Sequence, residues 1–435
     1  MFGVGCKVRL FHSKRNACSA FFCTFAPTMK EYHHITLSNG IRIIHEPCPT
    51  DVVYCGLIVN AGTRDELPED SGMAHFCEHT TFKGTTRRRA CHVRNCLERV
   101  GGDLNAYTNK EETVFYAMVQ REDFKRAMDL LTDIVFHSIY PQHELEKEVE
   151  VIIDEIDCYR DSPAELIYDE FEEMLFRGHG LGRNILGKAE RLRQYGTEDA
   201  LRFTRRYYCP SNVTVFVYGN VSFDVIVRTV DRLTQNLPEG DAHQEIQPLP
   251  MYVPEVREQY RATHQAHVLI GNRGYSASHP KRTALFLLNN ILGGPGMNSL
   301  LNVSLREKNG LVYMVESSAF SYTDSGVWSV YFGCEEGHVD RCRKLVLKLL
   351  NQLKEKRFSP MQLQAAQKQL IGQILIAGDN FESYALALGK TYAHQGKHRD
   401  VNQIISNIRE VTADDLRDVA QDLFDEASLT TLIYK

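Results

Sequence analysis

The sequence predicts an α+β protein of two homologous α/β domains, each a mostly antiparallel sheet covered by helices, enclosing a cleft. Three observations predict it. β-type runs alternate with long stretches of helical period, a proline-rich segment splits the chain nearly in half, and the halves repeat one pattern. A chain of 435 residues also exceeds what one small core organises.

The elements follow in order from Met29. "HHITLSNGIRIIHEP" has two β-rich runs around a Ser-Asn-Gly turn and predicts a hairpin. "VVYCGLIVNAG" is a continuous apolar run of strand length, the pattern of a strand covered on both faces. "SGMAHFCEHTTFKGT", residues 71 to 85, reads as a helix opened by Asp70 or Ser71 as N-cap. "LNAYTNKEETVFYAMV" predicts a second hairpin. "REDFKRAMDLLTDIVFH" and "QHELEKEVEVIIDEIDCYRDSP" carry apolar residues at helical spacing, and Pro163 follows the end of the second.

"LPEGDAHQEIQPLPMYVPE" has four prolines, polar filler and no helical period, which makes residues 237–255 a linker. The chain thus divides into a leader or non-structural extension (1–28), a first domain (29–236), the linker and a second domain (256–435). "GLIVNAGTRDE" from residue 56 has a counterpart in "VLIGNRGYSAS" from residue 268, and Thr197 and Asn212 match Thr412 and Ser428. The second copy has "FLLNNILGG" where the first has "HFCEHTTFKG", so the first half is expected to carry the chemistry.

Composition bounds the function. Hydrophobic residues make up 43% and charged residues 24%, with a formal charge of −6. That balance argues against a nucleic-acid binder, and no apolar run is long enough to predict a membrane span. Twelve cysteines occur without a C-x-x-C pair, and Cys55, Cys77, Cys96 and Cys158 lie inside apolar patterns. Buried free thiols in a reducing, cytoplasmic compartment are the expectation. Residues 1–28 hold Lys7, Arg9, Lys14 and Arg15, no acid, and the short apolar run "ACSAFFCTFAP". They read as a non-structural leader, or as upstream of a true start at Met29; an export signal is the alternative.

The helix at 71–85 carries His75 and His79, four apart and so on one face, with Glu78 three residues from His75. Both imidazoles can reach one Zn²⁺, and Glu78 can serve as general base toward a metal-activated water. Phe76, Phe82 and the preceding apolar strand weaken the alternative of solvated histidines. The order H-x-x-E-H is the inverzincin signature. Catalytic zinc needs a third protein donor, expected as a carboxylate on another helix. "EKEVEVIIDEIDCY" supplies Glu148 and Glu155 on one face, two turns apart, suiting one ligand and one orienter of a ligand, above a stripe of Leu145, Val149, Ile152 and Ile156.

Together these motifs resemble the pitrilysin and insulin-degrading-enzyme clan of zinc peptidases. "HFCEHTTFKGT", "GGDLNAYTNKEETVFYA" and "SLREKNGLVYMVESSAFSYTDSG" look most like its short bacterial members related to mitochondrial processing peptidase. The resemblance spans nearly everything from residue 30. It implies a zinc endopeptidase of peptides or unfolded segments, one Zn²⁺ per chain held by His75, His79 and Glu155, with Glu78 as base and Glu148 behind the ligands. It implies that "LNAYT" is an edge strand to which substrate adds, with Asn105 and Ala106 opposite the scissile bond. Arg306 and Tyr313 would bind substrate carbonyls and the developing oxyanion. A homodimer is implied by resemblance alone. Read by themselves, Arg306 is a surface residue and Tyr313 a core aromatic. "LGGPGMNS" departs from the family's shorter Gly-rich turn, leaving the effect of residues 293–296 open, and His179 in "HGLGRNILG" is assigned no chemistry. The alternative function is a silent or partner-dependent subunit of a processing-peptidase-like complex. Arg306 and Tyr313 stand in the same chain, which argues against a need for a separately encoded partner.

Overall fold

The alternating runs condense, in this computed structural model, into two sheets of matching order. Residues 32–238, 240, 242, 247–261, 263–398 and 400–435 are described. The expected leader and six positions of the expected linker (239, 241 and 243–246) lie outside them.

The first half runs β1 (His33–Thr36), β2 (Arg42–Glu46), β3 (Val52–Val59), α1 (Met73–Thr81), α2 (Ala90–Glu98), β4 (Asp103–Thr108) and β5 (Thr113–Gln120). It continues with α3 (Phe124–His137), α4 (Gln142–Arg160), α5 (Pro163–Leu175), α6 (Ala189–Leu192), α7 (Thr197–Tyr207), β6 (Val213–Tyr218) and α8 (Phe223–Thr234). The second half runs β7 (Val256–Gln259), β8 (Ala266–Gly274), α9 (Arg282–Gly293), β9 (Val312–Ser321), β10 (Gly326–Cys334) and α10 (Val339–Glu355). Then come α11 (Pro360–Ala377), α12 (Phe381–Gln395), α13 (Val401–Glu410), α14 (Ala413–Leu423) and β11 (Thr430–Tyr434).

The first sheet has the order β1-β2-β6-β3-β5-β4 and the second β7-β11-β8-β10-β9. In both, one pair is parallel (β2 with β6, β7 with β11) and the remaining neighbours are antiparallel. The two halves are therefore two copies of one α/β domain, with β1 an extra strand in the first. β4 and β9 occupy equivalent sheet edges.

What the repeat does not announce is an exchange of helices. One face of the first sheet is covered by its own helices, where Leu57 meets Phe76, Leu131 and Ile134. Its other face, with Ile58, Val114 and Phe216, is covered by Tyr384, Leu388 and Tyr392 of α12, from the second half. Gly389 permits that approach: a Cβ there would stand 2.7–2.8 Å from Phe216 and Ile58. Reciprocally, Ile167, Phe171 and Met174 of α5 cover Leu269, Tyr331 and Leu432 of the second sheet. Each sheet is buried on both faces, which is why β3 reads as a continuous apolar run. Neither half retains a complete core without the other.

Polar contacts tie the same boundary. Arg64 forks onto Asp324, at 2.9 and 2.5 Å, and reaches Glu111 at 2.6 Å. Glu112, from the first half, accepts from His394 at 2.9 Å and pairs with Lys390 at 2.7 Å, both on α12. Burial alone would raise the Glu112 carboxyl, but His394 and Lys390 outweigh it and hold it down at about 2. A depressed acid contributes stability above its unfolded value near 4.5 that is lost as pH falls toward 2. Glu112→Gln should therefore cost on the order of 3 kcal/mol at neutral pH. Urea unfolding at decreasing pH should show the deficit closing below about pH 4; a constant deficit would refute this linkage.

One cysteine expectation fails. Cys55 and Cys77 are buried and Cys96 half-buried, but Cys158 is exposed, because it lies on the solvent side of α4 opposite the packing stripe.

Candidate metal centre

The site begins with how α1 is started. Neither Asp70 nor Ser71 caps it: the N-cap is Gly72, in the left-handed region at φ 84°. Gly72 packs against Gly187, itself at φ 74°, so closely that a Cβ on either would come within 2.8 Å of the other's backbone. The glycine-punctuated loop "HGLGRNILG" thus seats the start of α1. Its free N–H groups go to Glu66, whose carboxylate accepts from Gly72 at 3.0 Å and Ala74 at 2.9 Å. Glu66, a buried acid six residues before Gly72, does the work expected of Asp70 or Ser71 by reaching both donors from the turned loop. Burial pushes the Glu66 carboxyl up to about 8, against the pull of those two N–H groups. Glu66→Ala, which leaves two buried donors unpaired, should cost on the order of 2–3 kcal/mol. An unchanged urea midpoint would show that another group satisfies them.

Seated this way, α1 turns His75 and Glu78 into the interior, with His79 half-buried beside them. The imidazole centroids lie 4.5 Å apart. Across from them, the buried stripe Leu145, Val149, Ile152 and Ile156 seats α4. Glu155 Oε2 then lies 3.8 Å from His75 Nε2 and 3.4 Å from His79 Nε2. One donor atom from each of the three falls within 4.8 Å of the others.

These positions fit a metal. A tetrahedral ion with ligand distances of roughly 2.1 Å separates its donors by about 3.4 Å, close to what is observed. The donor chemistry agrees, two imidazoles and a carboxylate beside a buried acid. Burial and the neighbouring His79 push His75 down to about 4, whereas Glu148, Glu155 and Glu78 overcome burial to hold His79 up to about 9. A divalent cation at the three donors would replace that proton and balance the surrounding acids.

The surroundings orient the donors. Glu148 Oε1 lies 3.1 Å from His79 Nδ1, which leaves Nε2 facing Glu155, and Lys83 holds the other Glu148 oxygen at 2.5 Å. His79 and Lys83 keep the Glu148 carboxyl below its ordinary value although burial opposes them. Hydrogen bonding to His79 likewise lowers Glu155. Thr108, at the end of β4, donates to Glu78 Oε2 at 2.8 Å. Burial, the largest influence, raises the Glu78 carboxyl, with Thr108 and His79 pulling the other way. Glu66, Lys83 and Thr108 went unassigned in the sequence. Lys83 had a signal, standing four residues after His79, and Thr108 stood within the quoted "LNAYT".

β4 is the outer strand of its sheet, with Asn105 paired to Tyr116 and Ala106 to Phe115. Arg306 and Tyr313 both lie in the second half. Arg306 sits on a π-helical turn (Asn302–Glu307), with its guanidinium 5.8 Å from the Tyr313 ring, and Tyr313 on β9 is 81% exposed. They line a groove with Gly293, Gly294 and Pro295, and every residue of that groove belongs to the second half. Tyr313 is therefore not a core aromatic. No helix among the described residues is long and apolar enough to cross a membrane.

Residues 42–189 match the family described as Insulinase (Peptidase family M16), and residues 196–370 match the Peptidase M16 inactive domain. The chain is 32% identical over 399 residues to the Bacillus subtilis protein named uncharacterized zinc protease YmxG, covering 92% of this chain and 97% of that one. It is 32% identical over 407 residues to an uncharacterized zinc protease of Rickettsia felis, covering 93% and 98%. The crystal structure of a protease from Helicobacter pylori shares the fold, with a TM-score of 0.85 at 21% identity over 94% of this chain and 100% of that one.

Proposed function

The chain belongs to the insulinase-like M16 peptidase family, and from that premise we propose that it is a zinc-dependent endopeptidase of peptides or unfolded segments. The observation that carries the reading is the convergence of His75, His79 and Glu155 beside the buried acid Glu78. The match of the second half to the family's inactive domain supports placing the chemistry in the first half.

His75 Nε2, His79 Nε2 and a Glu155 oxygen would hold one Zn²⁺ per chain. When bound there, zinc supplies Lewis acidity that activates a water molecule and polarises the scissile carbonyl. Glu148 fixes the His79 ring by taking the Nδ1 proton in a hydrogen bond. Glu78, with Oε2 anchored by Thr108, has Oε1 to accept the proton of the attacking water, and its raised pKa suits later donation to the leaving amine nitrogen. An extended peptide would pair with the outer edge of β4 through main-chain bonds, placing Asn105 and Ala106 opposite the scissile bond.

Arg306 and Tyr313 belong to this reading through a homodimer. Their exposure in a groove lined by second-half residues supports delivery to the site of a second copy. Metal analysis and cleavage of a quenched peptide test the core reading. One zinc per chain with turnover is expected; zinc without turnover would favour a silent subunit. The dimer is tested by co-expressing Glu78→Gln with Arg306→Ala/Tyr313→Phe, each inactive alone. Delivery between copies should restore about a quarter of normal activity, because half the dimers are mixed and each holds one complete site of two. No recovery would refute it.

A further inference from the structure

Beside the metal centre lies a basic trough that the reaction does not use. From His79 to Leu97 the chain has no acidic residue, yet it carries Lys83, Arg87, Arg88, Arg89 and Arg94, in a protein of net charge −6. All five line a trough of about 740 Å³ between the α1–α2 connection, the start of α2 and the start of α4. Three are neutralised. Lys83 pairs with Glu148 at 2.5 Å, Arg87 with Asp129 at 3.2 Å, and Arg88 with Asp133 at 2.5 Å and with Asp129. Arg89 and Arg94 are exposed and have no ion-pair partner among the described residues, and the only acid lining the trough is Glu144. Two unpaired guanidinium groups in a concave wall make an anion site of the kind that accepts carboxylates.

Its place ties it to the cleavage site. Lys83 stands one helical turn past His79 on the α1 side, and Glu144 one turn before Glu148 on α4. α2 also packs beside β4, the outer strand of the sheet. A peptide lying along β4 would run beside α2, whose start lines the trough.

We propose that this trough is a substrate subsite for acidic side chains, with Arg89 and Arg94 setting a preference for peptides bearing Asp or Glu on one side of the cleaved bond. This rests on the peptidase reading above. The probes are two labelled peptides identical except for Glu and Asp in one and Gln and Asn in the other. Their anisotropy is measured on full-length Glu78→Gln protein, so that cleavage does not consume the probe. The acidic peptide should bind about five- to tenfold tighter, and the advantage should shrink with added salt. It should vanish in Glu78→Gln carrying Arg89→Gln/Arg94→Gln, with binding of the neutral peptide unchanged. Equal binding of the two peptides, an advantage surviving the double substitution, or equally tight capture of a single-stranded oligonucleotide would overturn the subsite. Cleavage by otherwise unaltered protein separates the two readings. If the charge preference in binding is present and neither peptide is cut, the peptidase reading falls and the subsite stands. If both are cut equally and the double substitution changes neither rate, the subsite falls and the peptidase reading stands.

Discussion

The Glu78→Gln protein should hold one zinc per chain and turn over peptide at least about 10³-fold more slowly than the unaltered protein. Glutamine keeps the size of the side chain and an oxygen for the Thr108 hydroxyl, so α1 and the donor triangle remain in place. What it removes is the ability to take up a proton at Oε1. A buried carboxyl with its pKa raised by desolvation is suited to exchange protons with water and a leaving amine; an amide is not. Metal analysis and single-turnover cleavage of a quenched peptide read the two quantities apart. Normal turnover with full zinc would remove Glu78 from the chemistry, whereas lost zinc would show that the substitution disturbed the ligands instead.

The second large effect is at the third donor. Glu155→Ala should weaken zinc binding by more than about 100-fold, beyond the 10–100-fold typical of losing a partner that only orients a ligand. Glu148→Gln is the control for that lesser effect, because Glu148 touches His79 Nδ1 and Lys83 rather than the point where the three donors converge. Activity of Glu148→Gln should return with excess zinc, while that of Glu155→Ala should not. The Glu155 side chain is 40% exposed, so its removal should leave the far-UV circular dichroism unchanged. Retention of zinc by Glu155→Ala at the normal affinity would leave two imidazoles as the whole site and exclude a three-donor centre.

The candidate metal centre was legible because its information is local. His75, Glu78 and His79 share a helix face by spacing alone, and Glu148 and Glu155 share another over the stripe from Leu145 to Ile156. Helix geometry converts each spacing into a direction, and burial of the stripe aims α4 at α1. Cys158 lies on that same helix and was misread, since an apolar neighbourhood in the chain says nothing of which side of the cylinder faces solvent. The start of α1 was misread for a related reason. Asp70 and Ser71 are ordinary capping residue types, but the turn that brings Glu66 onto Gly72 and Ala74 depends on the Gly72–Gly187 contact, 115 residues apart in the chain.

The sequence by itself determined the residue set that can bind a metal, the duplicated α/β pattern and the strand and helix order, because periodicity and short spacings act through contacts within a few turns of chain. Only the tertiary structure decided that α5 and α12 cross to the opposite sheets, and that Tyr313 stands exposed in a groove with Arg306. An apolar helix face records that it must be buried, not against which sheet: the hydrophobic effect has no direction, and either copy of a repeated domain offers a similar surface. The choice is made by fit, as where Gly389 lets α12 lie directly on Phe216.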